Sequence, residues 1–374
     1  MKTDWLIVGA GFTGAIIAER IASQLNQKVV VIDKRGHIAG NAYDYFNGAG
    51  ILTHQYGPHI FHTNSKMVWD YLSRFTAWRP YFHHVLGIVD GKKVPVPFNI
   101  DSINEIFPQK HADKLIDQLI GQFGFGAKVP ILKLRENADG DLAFLADYIY
   151  KNVFYNYTVK QWEMKPDDLD PSVTARVPIY ISRDCRYFQD IYQAMPVDGY
   201  TAMFERILKH PNIDVRLSTD YREAVKTVRH DRMIFTGPID ELFDYRHGHL
   251  PYRSLRFDFM TIDKEWHQEV GTVNYPNEFD FTRVTEMKHL TGQEGLPKST
   301  LIYEYPQRYE AGKNDPYYPI PCADSRDILR PYEEEAGKLK GKVFFAGRLA
   351  DYKCYNMDQA AARALAVFQK EIAP

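Results

Sequence analysis

A glycine-rich turn near the amino terminus restricts the fold of this chain more than any other feature. The G-x-G-x-x-G pattern at residues 9–14 directly follows a short apolar run at residues 5–8. A helical pattern occupies residues 15–25, and a second apolar run, residues 28–32, ends at Asp33. Because this acid stands nineteen residues after the last glycine of the turn, the segment predicts a βαβ unit that binds a dinucleotide.

Each part of the pattern has a physical role in such a unit. Gly9 permits a tight turn, Gly11 lets a pyrophosphate approach the backbone, and Gly14 lets the helix pack closely on the strand. The helix N-terminus offers free N–H groups and the positive end of its dipole to the phosphates. Asp33 is then expected to accept hydrogen bonds from an adenosine ribose.

The carboxyl-terminal part of the chain favours FAD over NAD as the dinucleotide. Residues 34–41 resemble the basic, glycine-containing segment that follows the acid in many FAD proteins. A buried-type strand at residues 342–346 runs into Gly347 and Arg348, and an Ala-rich helix starts near Asp358. Such a strand and helix are expected to cap the far end of a long cofactor, with Arg348 facing a flavin or a phosphate and the helix N-terminus stabilising a reduced flavin. An NAD domain normally ends well before this point.

Composition excludes several other classes of function. The chain has 46 Lys and Arg against 48 Asp and Glu, a net charge of −2, which excludes a highly basic nucleic-acid binder. No apolar run approaches the roughly 18 residues of a membrane span, so we expect no membrane insertion. Cys185, Cys322 and Cys354 are far apart and lack metal spacing, which favours a reducing cytoplasm over a disulfide framework or a metal site. The sequence also lacks motifs for a side-chain nucleophile, so a cofactor is expected to carry the chemistry.

Periodicity gives a coarse outline of the remaining chain. Residues 99–145 have mostly helical spacing, and residues 250–274 and 282–305 contain short β-like runs. Residues 36–65, rich in Gly, Asn and His, predict a loop. The polar, proline-flanked residues 161–176 predict a lid that folds over a bound ligand.

On the residues alone, three features each allow two interpretations. The aromatic residues of 150–162 fit either a wall that stacks on uracil and sugar or a hydrophobic core. Arg176 and Arg283 are either solvated or clamp a diphosphate through bidentate hydrogen bonds. His59, in a Pro-His loop, either contacts the cofactor ring or is an ordinary loop residue.

The joint order of eight segments resembles the bacterial UDP-galactopyranose mutase family. These segments are residues 9–14, 37–41, 56–64, 157–162, 236–240, 273–276, 316–319 and 345–358. The resemblance covers nearly the whole chain. It implies an α/β fold in which a Rossmann-like FAD-binding domain is joined by a small helical domain and a twisted antiparallel β-sheet domain.

The resemblance also implies where these domains lie. The FAD-binding domain is discontinuous and covers residues 1–80, 195–245 and 335–374. The helical domain covers residues 100–165. The antiparallel sheet, which binds substrate, covers residues 81–99, 166–194 and 246–334.

The implied activity is a flavin-dependent isomerisation. Family members contract the ring of UDP-galactopyranose to give UDP-galactofuranose, with N5 of reduced FAD attacking the anomeric carbon while UDP leaves and later returns. NAD(P)H or another reductant primes the flavin. Such an enzyme takes a UDP-sugar as its partner, works in the cytoplasm in cell-surface polysaccharide biosynthesis, and is often a homodimer.

The resemblance assigns roles to named residues. The implied catalytic residues are Arg176, Arg283 and His59. The implied substrate-binding residues are Tyr157, Thr158, Trp162, Tyr187, Phe188, Arg253, Asn274, Tyr317 and Asn356. The implied cofactor-binding residues are Gly9, Gly11, Phe12, Thr13, Gly14, Asp33, Lys34, Gly40, Asn41, His59, Val215, Gly347, Arg348, Met357 and Asp358.

One position departs from the family pattern. Cys354 stands six residues after Arg348, where family members usually have a tyrosine that contacts the diphosphate. This departure leaves open a mutase that acts on another nucleotide hexopyranose, such as UDP-N-acetylgalactosamine. Two more distant functions also stay open: an amine-oxidase-like flavin oxidoreductase, and a nucleotide-sugar binding protein that retains FAD for structure.

Overall fold

The computed structural model of the chain describes residues 2–136, 140–162 and 178–373. Within these ranges the strands are β1 Lys2–Val8, β2 Val29–Ile32, β3 Asp44–Phe46, β4 Leu52–His54, β5 Phe61–Thr63, β6 Trp78–Pro80, β7 Val85–Val89, β8 Lys92–Val96, β9 Lys128–Pro130, β10 Pro178–Tyr180, β11 Tyr192–Pro196, β12 Ile213–Arg216, β13 Arg229–Phe235, β14 Tyr252–Ile262, β15 Thr272–Asn274, β16 Arg283–Glu286, β17 Ser299–Arg308, β18 Tyr318–Pro319 and β19 Val343–Phe345. The α-helices are α1 Phe12–Gln24, α2 Lys66–Leu72, α3 Ile100–Ile106, α4 Gln109–Phe123, α5 Ile131–Arg135, α6 Gly140–Ile149, α7 Asn156–Trp162, α8 Tyr200–Leu208, α9 Tyr221–Thr227, α10 Ile239–Leu242, α11 Met287–Thr291, α12 Ala323–Lys338 and α13 Met357–Val367.

The first of two compact units comprises Met1–Tyr81, Asp190–Ser254 and Tyr309–Pro374. Its centre is a parallel five-stranded sheet in the order β12-β2-β1-β13-β19. Every residue of β2 is buried, and all four are Val or Ile. A parallel strand that is covered on both faces must be apolar throughout. The predicted βαβ unit is confirmed, with the helix beginning at Phe12 rather than Ala15.

The parallel arrangement determines where a ligand can bind in this unit. Strands β1, β2, β13 and β19 run in the same direction, so the residues that follow their carboxyl ends lie along one edge of the sheet. Gly9, Asp33, Thr236 and Ala346 are the first residues after these four ends. In open parallel sheets this edge is where nucleotides bind.

The second unit comprises Phe82–Gln189 and Leu255–Arg308. Its sheet has the strand order β14-β17-β16-β15-β7-β8, and β14 begins in the first unit. Three neighbouring pairs, β7–β8, β15–β16 and β16–β17, are antiparallel, as predicted, whereas β15 and β7 are parallel. A parallel pair is allowed here because β7 and β15 come from remote parts of the chain and no hairpin joins them.

Helices α3 to α6 form an apolar cluster within the second unit. Leu115 and Leu119 of α4, Leu134 of α5 and Leu145 of α6 are buried together there. Phe154, from the aromatic segment that had two interpretations, belongs to the same cluster, so at this residue the core interpretation is confirmed.

The predicted loop at residues 36–65 was partly wrong. It contains a 3-10 turn at Gly40–Ala42 and the strands β3, β4 and β5. These three-residue strands are too short to show alternation in the sequence, and β5 pairs with the distant β11. The predicted lid lies outside the described residues except for its first two positions, which end α7, and the three-part domain division stays a prediction. No helix in the described part of the chain is both long enough and apolar enough to cross a membrane.

Candidate functional site

The turn at residues 9–14 contains two glycines that the fold itself requires. Gly9 has φ +106°, and a Cβ atom there would lie 2.0 Å from Thr236 Oγ1. A Cβ atom at Gly14 would lie 1.9 Å from the carbonyl oxygen of Gly9. Neither position accepts a side chain without movement of its surroundings, because both distances are far below van der Waals contact.

Gly11 is different, because no described side chain fills the space beside it. Its φ of −82° is open to any residue, and a Cβ atom would meet Gly40 Cα at 3.7 Å, an ordinary contact distance. Gly11 also precedes α1, whose N-terminus has no side-chain cap and no acidic residue in its first turn. The unsatisfied N–H groups therefore face a space that suits a phosphate group.

Asp33 is held in position by two backbone N–H groups. Ala10 N donates to its Oδ2 atom at 2.9 Å, and Arg35 N donates to its Oδ1 atom at 2.9 Å. Each carboxylate oxygen keeps a further lone pair. The oriented carboxylate can thus accept further hydrogen bonds, and its contact with a ribose stays a prediction.

Arg35 is a neighbouring residue that the sequence reasoning missed. Its guanidinium donates to Asp315 Oδ2 at 2.8 Å and to Asn41 Oδ1 at 2.9 Å, and lies 4.3 Å from the centre of the Tyr56 ring. Nothing in the sequence links Arg35 with Asp315, which lies hundreds of positions away. Only the tertiary fold brings them together.

One cavity of about 230 Å³ in the first unit collects most of the predicted cofactor residues. Those that line it are Gly9, Gly11, Phe12, Thr13, Asp33, Lys34, Gly40, Asn41, His59, Gly347, Arg348 and Met357. It is also lined by residues absent from the prediction, namely Arg35, residues 219–221 and 235–238, Glu241 and Asp315. The segment 235–238 had a usable signal: it follows a parallel strand, as the glycine turn does.

Three predicted cofactor residues do not line this cavity. Gly14 packs α1 against the preceding turn. Val215 lies in β12 beside Val31. Asp358, at the start of α13, accepts a hydrogen bond from Thr63 Oγ1 at 3.0 Å.

Arg348 contributes a fixed positive charge to the cavity. Its Nε and Nη2 atoms donate to the carbonyl oxygen of Tyr355 at 3.1 and 2.6 Å, and its guanidinium lies 4.8 Å from the centre of the Tyr318 ring. The Arg253 guanidinium lies 4.8 Å from the centre of the same ring. Two cations beside one aromatic ring make this part of the first unit suitable for an anionic ligand.

Tyr317 and Asn356 are the other predicted substrate residues of the first unit. Tyr317 lines the cavity, and its N–H donates to the carbonyl oxygen of Arg253 at 2.9 Å. Burial raises the pKa of the Tyr317 hydroxyl above its ordinary value. Asn356 caps α13, and Cys354 Sγ lies 3.4 Å from the carbonyl oxygen of Pro319.

In the second unit, Arg283 lies between two partners across the sheet. Asn274 of β15 and Glu304 of β17 are its direct neighbours in the strand register. The Nε and Nη2 atoms of Arg283 donate to Glu304 Oε2 at 2.9 and 2.7 Å. Glu304 is 1% exposed, whereas the Arg283 side chain is 27% exposed, so the buried acid orients a cation that solvent and ligands can reach.

Helix α7 carries Tyr157 and the buried Thr158, and Lys160 attaches it to the loop after β15. Lys160 Nζ donates to the carbonyl oxygens of Tyr275 and Glu278 at 2.7 and 2.8 Å. Burial lowers the pKa of Lys160. The structure thus places the predicted residues of α7 beside the strand that carries Asn274.

Tyr187 and Phe188 lie next to His83 in the second unit. Tyr187 N donates to the His83 carbonyl oxygen at 2.7 Å, and the rings of Tyr187 and Phe188 meet edge to face at 4.9 Å. Arg176 and the side chain of Trp162 lie outside the part of the chain that the structure describes.

Comparison with known proteins identifies related sequences over nearly the full length. A family profile described as UDP-galactopyranose mutase matches residues 152–354, and one described as an NAD(P)-binding Rossmann-like domain matches residues 7–75. A probable UDP-galactopyranose mutase of Klebsiella pneumoniae is 35% identical over 365 residues, covering 96% of this chain and 92% of that protein. A dTDP-fucopyranose mutase of Escherichia coli is 34% identical over 368 residues, covering 96% of each.

Solved structures share the fold at much lower sequence identity. The crystal structure of a reduced UDP-galactopyranose mutase has a TM-score of 0.73 at 14% identity and covers 99% of this chain and 95% of that chain. Putrescine oxidase bound to putrescine has a TM-score of 0.60 at 12% identity and covers 100% of both chains. At these identities the likeness shows the fold alone, a Rossmann-type fold found in flavoenzymes.

Proposed function

This chain belongs to the UDP-galactopyranose mutase family, and we propose that it isomerises UDP-galactopyranose to UDP-galactofuranose with the help of reduced FAD. The observation that carries the proposal is the cavity lined by Gly11, Asp33, His59 and Arg348. These residues come from separate parts of the sequence, and each has a chemistry that a flavin dinucleotide needs. The family assignment then supplies the reaction type, an isomerisation.

The residues around the cavity fit FAD. The uncapped N-terminus of α1 and the open space beside Gly11 suit the pyrophosphate, and the oriented Asp33 carboxylate suits the ribose. Arg348 is placed to balance negative charge on the flavin or on a phosphate. Once bound and reduced by NAD(P)H or another reductant, the flavin supplies a nucleophilic N5 for the anomeric carbon of the sugar.

Arginines are the residues that we assign to the UDP diphosphate. UDP must leave and return, and its charge increases as it leaves, so a permanently charged donor of fixed geometry is required. Glu304 fixes the plane of the Arg283 guanidinium, and Arg176 is proposed as a second donor. Arg253 is proposed to face the diphosphate and sugar.

The remaining substrate contacts follow the same assignment. We propose that uridine and the phosphates contact Tyr157, Thr158, Trp162, Tyr187, Phe188 and Asn274, and that the diphosphate and sugar contact Tyr317 and Asn356. Aromatic rings suit the flat uracil base, and the amides and hydroxyls suit the ribose and phosphate oxygens.

A second candidate substrate has a specific observation in its favour. The relative from Escherichia coli is named a dTDP-fucopyranose mutase, and it is about as similar to this chain as the UDP-galactopyranose mutases are. Cys354 replaces the tyrosine that family members usually have near the diphosphate. The nucleotide and the sugar are therefore both tested below.

The proposed function is tested by product analysis. Protein reduced with dithionite is incubated without oxygen with UDP-galactopyranose, UDP-N-acetylgalactosamine or dTDP-fucopyranose, and the products are separated by HPLC. We expect the furanose isomer from UDP-galactopyranose at the highest kcat/KM. Flavin-loaded protein that binds UDP-galactopyranose without forming this product would contradict the proposal, and faster turnover of another substrate would reassign the sugar nucleotide. A Cys354→Tyr variant assayed in parallel shows how far this residue determines which sugar nucleotide is the preferred substrate.

A further inference from the structure

Hydrogen bonds hold both the backbone N–H and the backbone carbonyl oxygen of His59. Its N–H donates to His54 Nδ1 at 3.1 Å, and its carbonyl oxygen accepts from the Tyr200 hydroxyl at 3.2 Å. The His59 ring is held as well, because its Nδ1 atom lies 2.9 Å from the carbonyl oxygen of Gly57. His59 lines the cofactor cavity, whereas His54 and Tyr200 do not.

The two residues that hold His59 are themselves fixed in the core of the first unit. His54 is 1% exposed and Tyr200 is 0% exposed. His54 ends β4 and stands opposite Asp44 in the strand register. The carboxylate of Asp44 in turn accepts from the backbone N–H groups of Tyr200 and Thr201, at 2.7 and 2.8 Å. The start of β3 and the start of α8 are thereby joined through one carboxylate.

The hydrogen bonds determine whether Nδ1 carries a proton in each of the two imidazoles. His54 Nδ1 accepts a hydrogen bond, so His54 must be neutral with its proton on Nε2. Burial lowers the pKa of His54 to about 4, which keeps it neutral near pH 7. His59 Nδ1 faces a carbonyl oxygen and must therefore carry a proton.

We infer that His54 and Tyr200 are positioning residues, which act through His59 by fixing its backbone beside the cofactor cavity. This inference rests on the proposed function only for the identity of the cofactor, since the hydrogen bonds belong to the protein alone. A loop that carries a cofactor contact is mobile unless a supporting shell fixes it. Here His54 supplies an acceptor and Tyr200 a donor, on opposite sides of the same residue.

Matched substitutions separate the acceptor of His54 from its side-chain shape. In His54→Asn the side-chain Oδ1 atom takes the place of Nδ1 and can still accept from His59 N–H. His54→Leu has the same number and branching of side-chain heavy atoms as His54→Asn but no acceptor. Tyr200→Phe removes only the hydroxyl, and Tyr71→Phe is its control, because the buried Tyr71 hydroxyl donates to Glu19 and does not contact His59.

Amide hydrogen exchange at His59 tests the inference on the full chain as purified, without substrate. Rates are normalised to the amides of β2, which report global unfolding. We expect His54→Leu and Tyr200→Phe to speed exchange at His59 at least tenfold and to weaken flavin binding about tenfold. His54→Asn should restore most of the protection, and Tyr71→Phe should change neither quantity.

Two results would overturn the inference. One is equal exchange at His59 in His54→Leu and His54→Asn, which would show that the acceptor atom has no role. The other is an equal effect of Tyr71→Phe and Tyr200→Phe, which would indicate a general loss of stability. Failure of the proposed function gives a different pattern, in which furanose product is absent while the exchange differences at His59 persist.

Discussion

Substituting alanine at Gly11 or Gly14 should separate cofactor binding from folding. The two glycines lie in the same turn, but their surroundings differ. A Cβ atom at Gly11 would lie 3.7 Å from Gly40 Cα, its nearest described neighbour across the turn, whereas one at Gly14 would lie 1.9 Å from the backbone oxygen of Gly9. Gly11→Ala therefore adds a methyl group where we expect the ligand to bind. Gly14→Ala adds one where backbone atoms of the protein already lie.

The expected magnitudes follow from these distances. Because the φ of Gly11 is −82°, alanine is unstrained there, and the free energy of unfolding should change by no more than about 1 kcal/mol. Losing one charge-assisted hydrogen bond between the pyrophosphate and α1 costs about 1.5–3 kcal/mol, which corresponds to roughly 10- to 150-fold weaker FAD binding. Gly14→Ala forces the backbone apart and should cost about 3 kcal/mol of stability or more.

The assay combines urea unfolding of the flavin-free protein with FAD titration followed by flavin fluorescence. Gly121→Ala is the control, because Gly121 lies in α4 and no described atom outside its own helix lies within 4 Å of its Cβ position. It should stabilise the protein by about 0.5–1 kcal/mol and leave FAD affinity unchanged. Wild-type FAD affinity in Gly11→Ala would refute the placement of the pyrophosphate. Normal stability in Gly14→Ala would refute the account of the turn.

Three further predictions concern charged and titratable groups. Arg283→Ala and Arg176→Ala should each lower kcat/KM by roughly 30- to 1000-fold and retain FAD, and near-native kcat/KM would exclude the clamp. Arg283→Ala should also lower the free energy of unfolding by about 3 kcal/mol, since it leaves the buried Glu304 carboxylate without this partner, and adding Glu304→Gln should recover most of that loss in urea unfolding. The pKa of His54 is 6.5 in the unfolded chain and about 4 in the native protein, so the unfolded chain binds a proton first as the pH falls. The contribution of His54 to the free energy of unfolding is therefore complete above pH 6.5 and is lost on acidification to pH 4. Over that range the wild type should therefore lose about 3 kcal/mol more stability than His54→Asn does, and parallel urea curves would contradict this.

Local patterns were sufficient to predict many of the residues that the fold gathers around the cavity of the first unit. The turn at residues 9–14, the acid Asp33 and the pair Gly347–Arg348 each follow a buried parallel strand, and the sheet brings such strand ends to one edge. The places of these residues in the structure therefore follow from the fold class and from the order of the strands along the chain.

The residues that the sequence did not reveal depend on contacts between distant segments. Arg35 pairs with Asp315, Arg283 pairs with Glu304, and neither acid belongs to a recognisable motif. His54 lies in a segment that the sequence predicted to be a loop, and its role becomes visible only when β4 is packed against α8. Hydrogen-bond partners of this kind are set by tertiary packing, which no spacing rule encodes.

The number of product molecules formed for each reducing equivalent tests the central claim most directly. An isomerase needs electrons only to reduce its flavin once, because the substrate and the product have the same oxidation state. Flavin-loaded protein is reduced with one equivalent of dithionite, kept free of oxygen and supplied with excess UDP-galactopyranose. We predict many molecules of UDP-galactofuranose per flavin, with the flavin still reduced at the end, and no product from the oxidised protein. Product limited to one molecule per reducing equivalent, or equal turnover by the oxidised protein, would contradict the account.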